Sequence, residues 1–240
     1  LSGVIPVLAE KLGLLNKYSI SMNIKVFQNG QELIENFSKE NLDLAILGVV
    51  PAFLWKSSGS DIEIKAKINE SGHAILAKNN INDLKDKTVF VPKKNESVSD
   101  NLLKKLTNDL KINVNKKDLK DLNLVLDQLI DYYPKLNDID AYLLWEPYIS
   151  LLLNKYENLH LIHNFKKERE KYTSNVMITN KGFDGIQLSL IEDIFKETID
   201  LINQETDEIL NELAKIFNIE EEIIKNSLKR VNFNYKKWEE

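Results

Sequence analysis

The sequence predicts an α/β protein built as two similar lobes, and three observations carry that prediction. A run closing on Asn-Leu-Asp-Leu-Ala-Ile-Leu-Gly-Val-Val-Pro (residues 41–51) is echoed about a hundred residues later by Asp-Ile-Asp-Ala-Tyr-Leu-Leu-Trp-Glu-Pro-Tyr (residues 138–148). Each reads as a short buried strand, 44–47 and 141–144, entered through an Asp and left through a loop that at once starts a helix. Strand, polar turn and helix then recur along the rest of the chain. In an open α/β sheet, ligands settle outside the carboxyl ends of strands, where helix N-termini present free N–H groups. The expected site therefore lies in a cleft between the lobes, with Gly48, Val49 and Val50 on one wall and Trp145, Glu146 and Pro147 on the other.

Residues 6–15 carry a helical apolar face, with Pro6 tolerated in the first turn, Gly13 near the stop and Ser2-Gly3 at the helix mouth. Ile24-Lys25-Val26-Phe27 alternates as a strand and runs through the turn Gln28-Asn29-Gly30 into a helix over 31–38. The strand 44–47 leads to a helix over 51–57, which Ser58-Gly59-Ser60 breaks. Residues 62–68 and 73–77 read as strands, and the first crossing between lobes is expected near residue 79. Strand 88–92 precedes a helix bearing Leu102, Leu103 and Leu106 on one face, and 122–125 reads as a short strand. A helix begins at 127–130 and ends before Pro134. Strand 141–144 and helix 147–156 are followed by strands 160–162 and 176–179, the second crossing back. From residue 188 onward the pattern is helical, with stripes such as Ile191, Ile194, Phe195 and Thr198. Lobe I thus comprises 1–79 and 176–240, and lobe II 80–175.

Composition narrows the function. With 240 residues, 43% hydrophobic and 29% charged, the chain can bury a substantial core, and its net charge of −5 is spread along the sequence. No basic stripe offers itself to nucleic acid or anionic lipid. The absence of Cys removes disulfides, thiol nucleophiles and thiolate metal sites. No run of eighteen apolar residues suggests a membrane span. The sequence opens without Met at Leu1-Ser2-Gly3, leaving room upstream for a first strand, a signal peptide or a lipid-anchoring segment.

Several motifs in order carry a resemblance. Pro6-Val7-Leu8-Ala9-Glu10-Lys11-Leu12-Gly13, Phe27-Gln28-Asn29-Gly30, Leu42-Asp43-Leu44-Ala45-Ile46-Leu47-Gly48, Asp83-Leu84-Lys85-Asp86-Lys87-Thr88-Val89, Asp140-Ala141-Tyr142 and Trp145-Glu146-Pro147-Tyr148 together resemble the solute-binding proteins of ABC importers. The chain is most similar to the branch that takes nitrate, sulfonates, taurine and thiamine-precursor pyrimidines. The resemblance implies a type II periplasmic-binding-protein fold: two α/β lobes close over one small molecule and hand it to a membrane permease. It also implies an extracytoplasmic, monomeric protein with no cofactor.

Each candidate site residue also has a structural reading. Asn95 and Ser97 open a helix after a buried strand and could hold an anionic oxygen, or Ser97 could simply cap the helix, as could Ser99. Asn29-Gly30 is a turn pair, and Gly48 either lets a backbone approach a ligand or only permits a tight strand exit. Trp145 can cover a planar or apolar ligand and Glu146 can receive an amine; otherwise Trp145 is core and Glu146 complements the positive end of the next helix. His73, past Ser71-Gly72, faces the cleft or serves as a structural histidine. His160 and His163 are not expected to share a metal, because three residues apart on a strand they face opposite ways. The Lys- and Glu-rich stretch 166–171 reads as solvated surface. The only arginines, Arg169 and Arg230, fall on no expected pocket loop, which disfavours a guanidinium clamp and favours neutral or weakly anionic ligands.

The expected function is capture of a small polar molecule, with no catalytic residue and no metal. No Gly-x-Ser-x-Gly, P-loop or His-Glu-x-x-His motif is present. The alternative is an enzyme on the same scaffold, in thiamine-pyrimidine or menaquinone-precursor metabolism, with His73 and Glu146 or Glu96 as acid and base. The pyrimidine-forming relatives rely on a cysteine-rich motif that this chain lacks.

Overall fold

The computed structural model describes residues 1–27, 29–122, 124, 126–167, 172–183 and 185–239, with residues 127 and 167 described by their backbone alone. Gln28 of the expected turn, residues 123 and 125 of the expected strand 122–125, and Arg169 within the stretch 166–171 lie outside the described residues.

The chain begins with α1 (Val4–Lys11) and α2 (Leu14–Lys17), joined at Gly13, whose φ of 73° glycine adopts without steric cost. Helix α3 (Gly30–Phe37) precedes β1 (Leu44–Gly48), α4 (Val49–Ser57), β2 (Ile62–Ser71) and β3 (His73–Lys78). Then follow β4 (Thr88–Phe90), α5 (Val98–Leu110), β5 (Asn115–Lys117), α6 (Leu119–Leu122) and α7 (Leu129–Tyr132). Strand β6 (Ala141–Trp145) leads through α8 (Tyr148–Lys155) to β7 (Leu159–Asn164) and β8 (Thr173–Asn180). Three helices, α9 (Gly185–Gln204), α10 (Asp207–Phe217) and α11 (Glu221–Leu228), precede β9 (Val231–Lys237).

These elements form two compact units. The first comprises Leu1–Glu70, Tyr172–Leu228 and Asn232–Glu240. Its sheet has the order β1-β8-β2-β9, with β8 antiparallel to both β1 and β2. Alternate residues Ala45 and Leu47, Ile62 and Ile64, Val176 and Ile178 face a core closed by Leu33 and Phe37 of α3, as a period of two requires. Helix α1 packs against α9 and α10.

The second unit comprises Ser71–Lys171 and Lys229–Val231. Its sheet has the order β5-β4-β6-β3-β7; β4 runs parallel to β5 and β6, and β3 antiparallel to β6 and β7. Leu76, Phe90, Tyr142 and Leu144 are buried with Leu129, Tyr133 and Ile149 from the helical side, and the rings of Tyr133 and Tyr142 meet edge to face at 5.4 Å. Because β3 pairs only within this sheet, the chain passes from one unit to the other at Glu70 and Ser71, inside β2, whereas the sequence places that crossing near residue 79.

Four local expectations change. Residues 24–27 alternate but form no strand, because no ladder partner lies beside them; Val26 is exposed and Phe27 packs on the core of the first unit. Leu122 ends a helical turn rather than beginning a strand. Strands β5 and β9 are additions: the first carries almost no apolar signal, and the second alternates Val231, Phe233 and Tyr235 within what reads as a helical tail. Finally, the ladder of β7 contains a bulge. His160 stands opposite Ala77 and His163 opposite Ile75, so the extra residue returns both histidines to the same face. The described residues nevertheless contain no group of three or more His, Asp and Glu placed to hold a metal ion.

Candidate ligand-binding site

In the first unit, the carboxyl end of β1 delivers Gly48 opposite Asn175, at the start of β8, and Asn175 in turn stands opposite Asn69 near the end of β2. The hydroxyl of Ser2, buried just ahead of α1, lies 2.8 Å from Oδ1 of Asn69 and 3.1 Å from Oδ1 of Asn175. A single hydroxyl proton satisfies one of these acceptors, so the cluster keeps polar capacity for a further partner. The starts of α3 and α4 meet at the same corner. A Cβ on Gly48 would lie 3.3 Å from the ring of Pro51, tighter than an ordinary contact, and one on Gly30 would lie in van der Waals contact with the same ring at 3.4 Å.

The helix starts at this corner differ. Asn29 caps α3 fully, its Oδ1 accepting from the N–H groups of Gln31 and Glu32 at 3.0 Å each. Helices α1 and α4 have no side-chain cap at Gly3 and Gly48 and no acidic residue in the first turn. In α1 the N–H groups of Val4 and Ile5 already meet the carbonyls of Leu1 and Ser2, at 2.9 and 3.5 Å, so the start of α4, with the N–H groups of Val49 and Val50, is the one that carries the positive end of its helix dipole without a side-chain partner. Gly3 is exposed, and a Cβ there would meet nothing within 4 Å. Ser2, Gly3, Gly30, Gly48, Val49 and Val50 are thus brought to one polar, uncharged corner. Asn69 and Asn175 belong with them, although neither stands out in the sequence. Asn69 opens a polar run, Asn69-Glu70-Ser71, that is buried at the end of β2.

In the second unit, β4 and β6 are parallel neighbours, so the loop after each leaves the same edge of the sheet. The first loop carries Asn95 and Ser97. Asn95, at φ 64°, is a turn residue whose Oδ1 accepts from Nζ of Lys104 at 3.0 Å. Ser97 caps α5: its hydroxyl donates to the carbonyl of Lys93 at 2.6 Å and accepts from the N–H of Asp100 at 3.2 Å. The carboxylate of Asp100 is buried in that first turn and paired with Lys104 and Lys116 at 2.8 and 2.6 Å. Burial opposes its charge, but the two ammonium groups outweigh burial and hold the carboxyl below the usual aspartate range. Helix α5 therefore meets a negative charge from its own chain.

The second loop follows β6. Trp145 stands opposite His73 in the ladder, with their rings 6.2 Å apart, and Tyr148 approaches Trp145 edge to face at 6.2 Å. His73 is 4% exposed, and its burial pulls the imidazole pKa down to about 3 against a backbone hydrogen bond at Ser71, so the ring is neutral at physiological pH. Glu146 is engaged by the protein itself. Its Oε1 accepts from Nη1 of Arg230 at 2.8 Å, and its Oε2 accepts from the N–H of Ser150 at 3.1 Å. Arg230, which falls on no expected pocket loop in the sequence, thus reaches this one through space and serves the protein's own carboxylate. Arg230 arrives from the distant segment Lys229–Val231, a proximity that sequence spacing does not carry.

No family model and no curated protein matches the sequence. Solved structures do match it. The periplasmic aliphatic sulphonate-binding protein SsuA from Escherichia coli superposes with a TM-score of 0.81 at 20% identity, covering 98% of this chain and 82% of that one. A ligand-binding component of an ABC-type import system from Staphylococcus aureus gives 0.78 at 15% identity, over 98% and 82% of the two chains. A Candida albicans protein with the generic periplasmic-binding-protein fold gives 0.68 at 18% identity, over 97% and 79%.

This chain has the periplasmic-binding-protein fold. In a periplasmic-binding-protein scaffold, the loops leaving the carboxyl ends of the strands are where ligands are met. The two corners described above, at β1 and at β4 and β6, occupy those positions in their respective units. No helix among the described residues is long and apolar enough to cross a membrane.

Proposed function

We propose that this protein is the extracytoplasmic substrate-binding component of an ABC importer: a monomer that captures one small polar molecule between its two lobes and passes it, unchanged, to a membrane permease. The observation that most supports this reading is the uncapped start of α4 at Gly48, beside the uncharged Ser2, Asn69 and Asn175. N–H dipoles, amides and a hydroxyl suit an oxyanion such as a sulfonate or nitrate, or the polar edge of a pyrimidine, without any cationic side chain. The E. coli neighbour binds aliphatic sulfonates, which ranks that class first. From the second unit, Trp145 and His73 would supply an aromatic wall for the organic part of the guest, with the loop at Asn95 and Ser97 beside it. Glu146 plays no ligand role in this proposal, since its carboxylate already serves Arg230 and Ser150.

Fold alone does not decide between capture and catalysis. Against an acid–base role, His73 is a weak base because burial lowers its pKa to about 3. A thermal-shift screen of alkanesulfonates, taurine, nitrate and pyrimidines, followed by product analysis of every hit, tests the proposal. A hit at a hundredfold excess over Kd stabilises the fold by about 2.7 kcal/mol and is recovered intact. A hit converted to product, with conversion abolished by His73→Ala, would establish the enzyme instead.

A further inference from the structure

Three chain segments remote in sequence close a ring of hydrogen bonds in the second unit. The N–H of Glu146 donates to the carbonyl of Gly72 at 3.0 Å, and the N–H of Gly72 donates to the carbonyl of Arg230 at 2.9 Å. The guanidinium of Arg230 returns to the carboxylate of Glu146 at 2.8 Å. The same Nη1 lies 3.1 Å from the hydroxyl of Ser150, whose N–H holds the other carboxylate oxygen. Every polar member is well covered: the Glu146 side chain is fully buried, Ser150 is 4% exposed and the Arg230 side chain 18%. Each of the first two ring members has a candidate ligand residue next to it in sequence. His73 follows Gly72 and Trp145 precedes Glu146, and these two stand opposite each other in the β3–β6 ladder.

We infer that Arg230 is a positioning residue that fixes the Trp145 and His73 wall through Glu146 and Gly72. Residue choice supports this. Of the thirty-two Lys and Arg in the chain, all but two are lysine, yet the cation in this buried network is arginine. A guanidinium is more weakly hydrated than an ammonium and presents several donors in a fixed plane, so it satisfies a carboxylate and a hydroxyl together away from water. The remaining geometry points the same way. Gly72 has φ 91°, and a Cβ there would lie 3.2 Å from Cγ2 of Val231, so the segment bearing Arg230 fits against a backbone that only glycine adopts readily. Lys166 adds a clasp on the same segment, its Nζ donating to the carbonyls of Lys229 at 2.7 Å and Val231 at 3.3 Å. For ligand affinity, the inference rests on the proposal that Trp145 and His73 contact the guest; for the position of Trp145, it stands by itself.

Fluorine NMR of the full chain labelled with 5-fluorotryptophan tests it without any ligand. The three tryptophans give three resonances, Trp55, Trp145 and Trp238, and Trp145→Phe assigns the one that matters. In Arg230→Gln the Trp145 resonance should shift or broaden while the other two keep their positions, and Arg230→Lys should bring it part of the way back. A Trp145 resonance identical to wild type in both variants would overturn the inference. If Arg230→Gln fails to fold, all three resonances collapse, and the charge-retaining Lys variant decides by the same criterion. Titration with ethanesulfonate adds a second readout. Arg230→Gln should weaken binding about tenfold in the wild-type background and cause no further loss in Trp145→Ala, the non-additivity of two residues acting as one. Additive losses would also overturn it. A wild type that binds no ethanesulfonate would count against the proposed ligand class and leave the fluorine result standing.

Discussion

At Trp145 the deciding fact is the residue after it. A Trp-Glu pair in a loop suggests an indole and a carboxylate reaching for a guest together, but the carboxylate points into the protein and is matched by Arg230 and the Ser150 amide. What the proposed function leaves to a ligand there is the indole beside a neutral histidine. That histidine makes a pH prediction. With His73 held neutral down to about pH 3 in the folded state and titrating near 6.5 when unfolded, the unfolded chain binds the extra proton between those values. Its contribution to stability is therefore complete above pH 6.5 and declines as pH falls, by about 1.4 kcal/mol per unit. Urea unfolding of wild type and His73→Gln at pH 7, 5.5 and 4.5 should show the wild type losing stability faster by roughly that slope. Parallel curves would show that His73 is solvated or charged in the folded protein.

Among the elements, the helix starts separate into two kinds. Helices α3 and α5 are closed by Asn29 and Ser97, while α1 and α4 start at uncapped glycines. Capping predicts that Ser97→Ala lowers stability by about 1 kcal/mol, read by chemical denaturation, because the Asp100 N–H loses its acceptor. A change below a few tenths would show the cap to be dispensable. The helices and the buried strands β1, β4, β6 and β8 were legible in the sequence, since each is an apolar run or a 3.6-residue stripe bounded by turn residues. The misses have a common cause. A strand exists only through its neighbour, so the alternation at 24–27 yields no strand, whereas the lysine-rich β5 becomes one by lying parallel to β4. The bulge in β7 is equally invisible in sequence and reverses the parity on which the separation of His160 and His163 was argued.

For the whole molecule, the α/β class was legible because the strand–loop–helix motif at 41–51 recurs at 138–148, and the periplasmic-binding-protein fold through the family resemblance that the ordered motifs from Pro6 to Tyr148 carry. The partners that complete each corner were not. Asn69 meets Ser2 across 67 residues of chain and Asn175 meets it across 173, and Arg230 meets Glu146 across 84, distances that only the folded topology closes. The central claim is that one guest draws on both corners, so that substitutions in either unit weaken the same binding event. Isothermal titration of an alkanesulfonate into wild type, Asn175→Ala and Trp145→Ala measures this most directly. The account predicts one molecule bound per chain, with affinity reduced about tenfold by each substitution; tight binding that only one of the two substitutions disturbs, or no binding of any small polar solute, would contradict it.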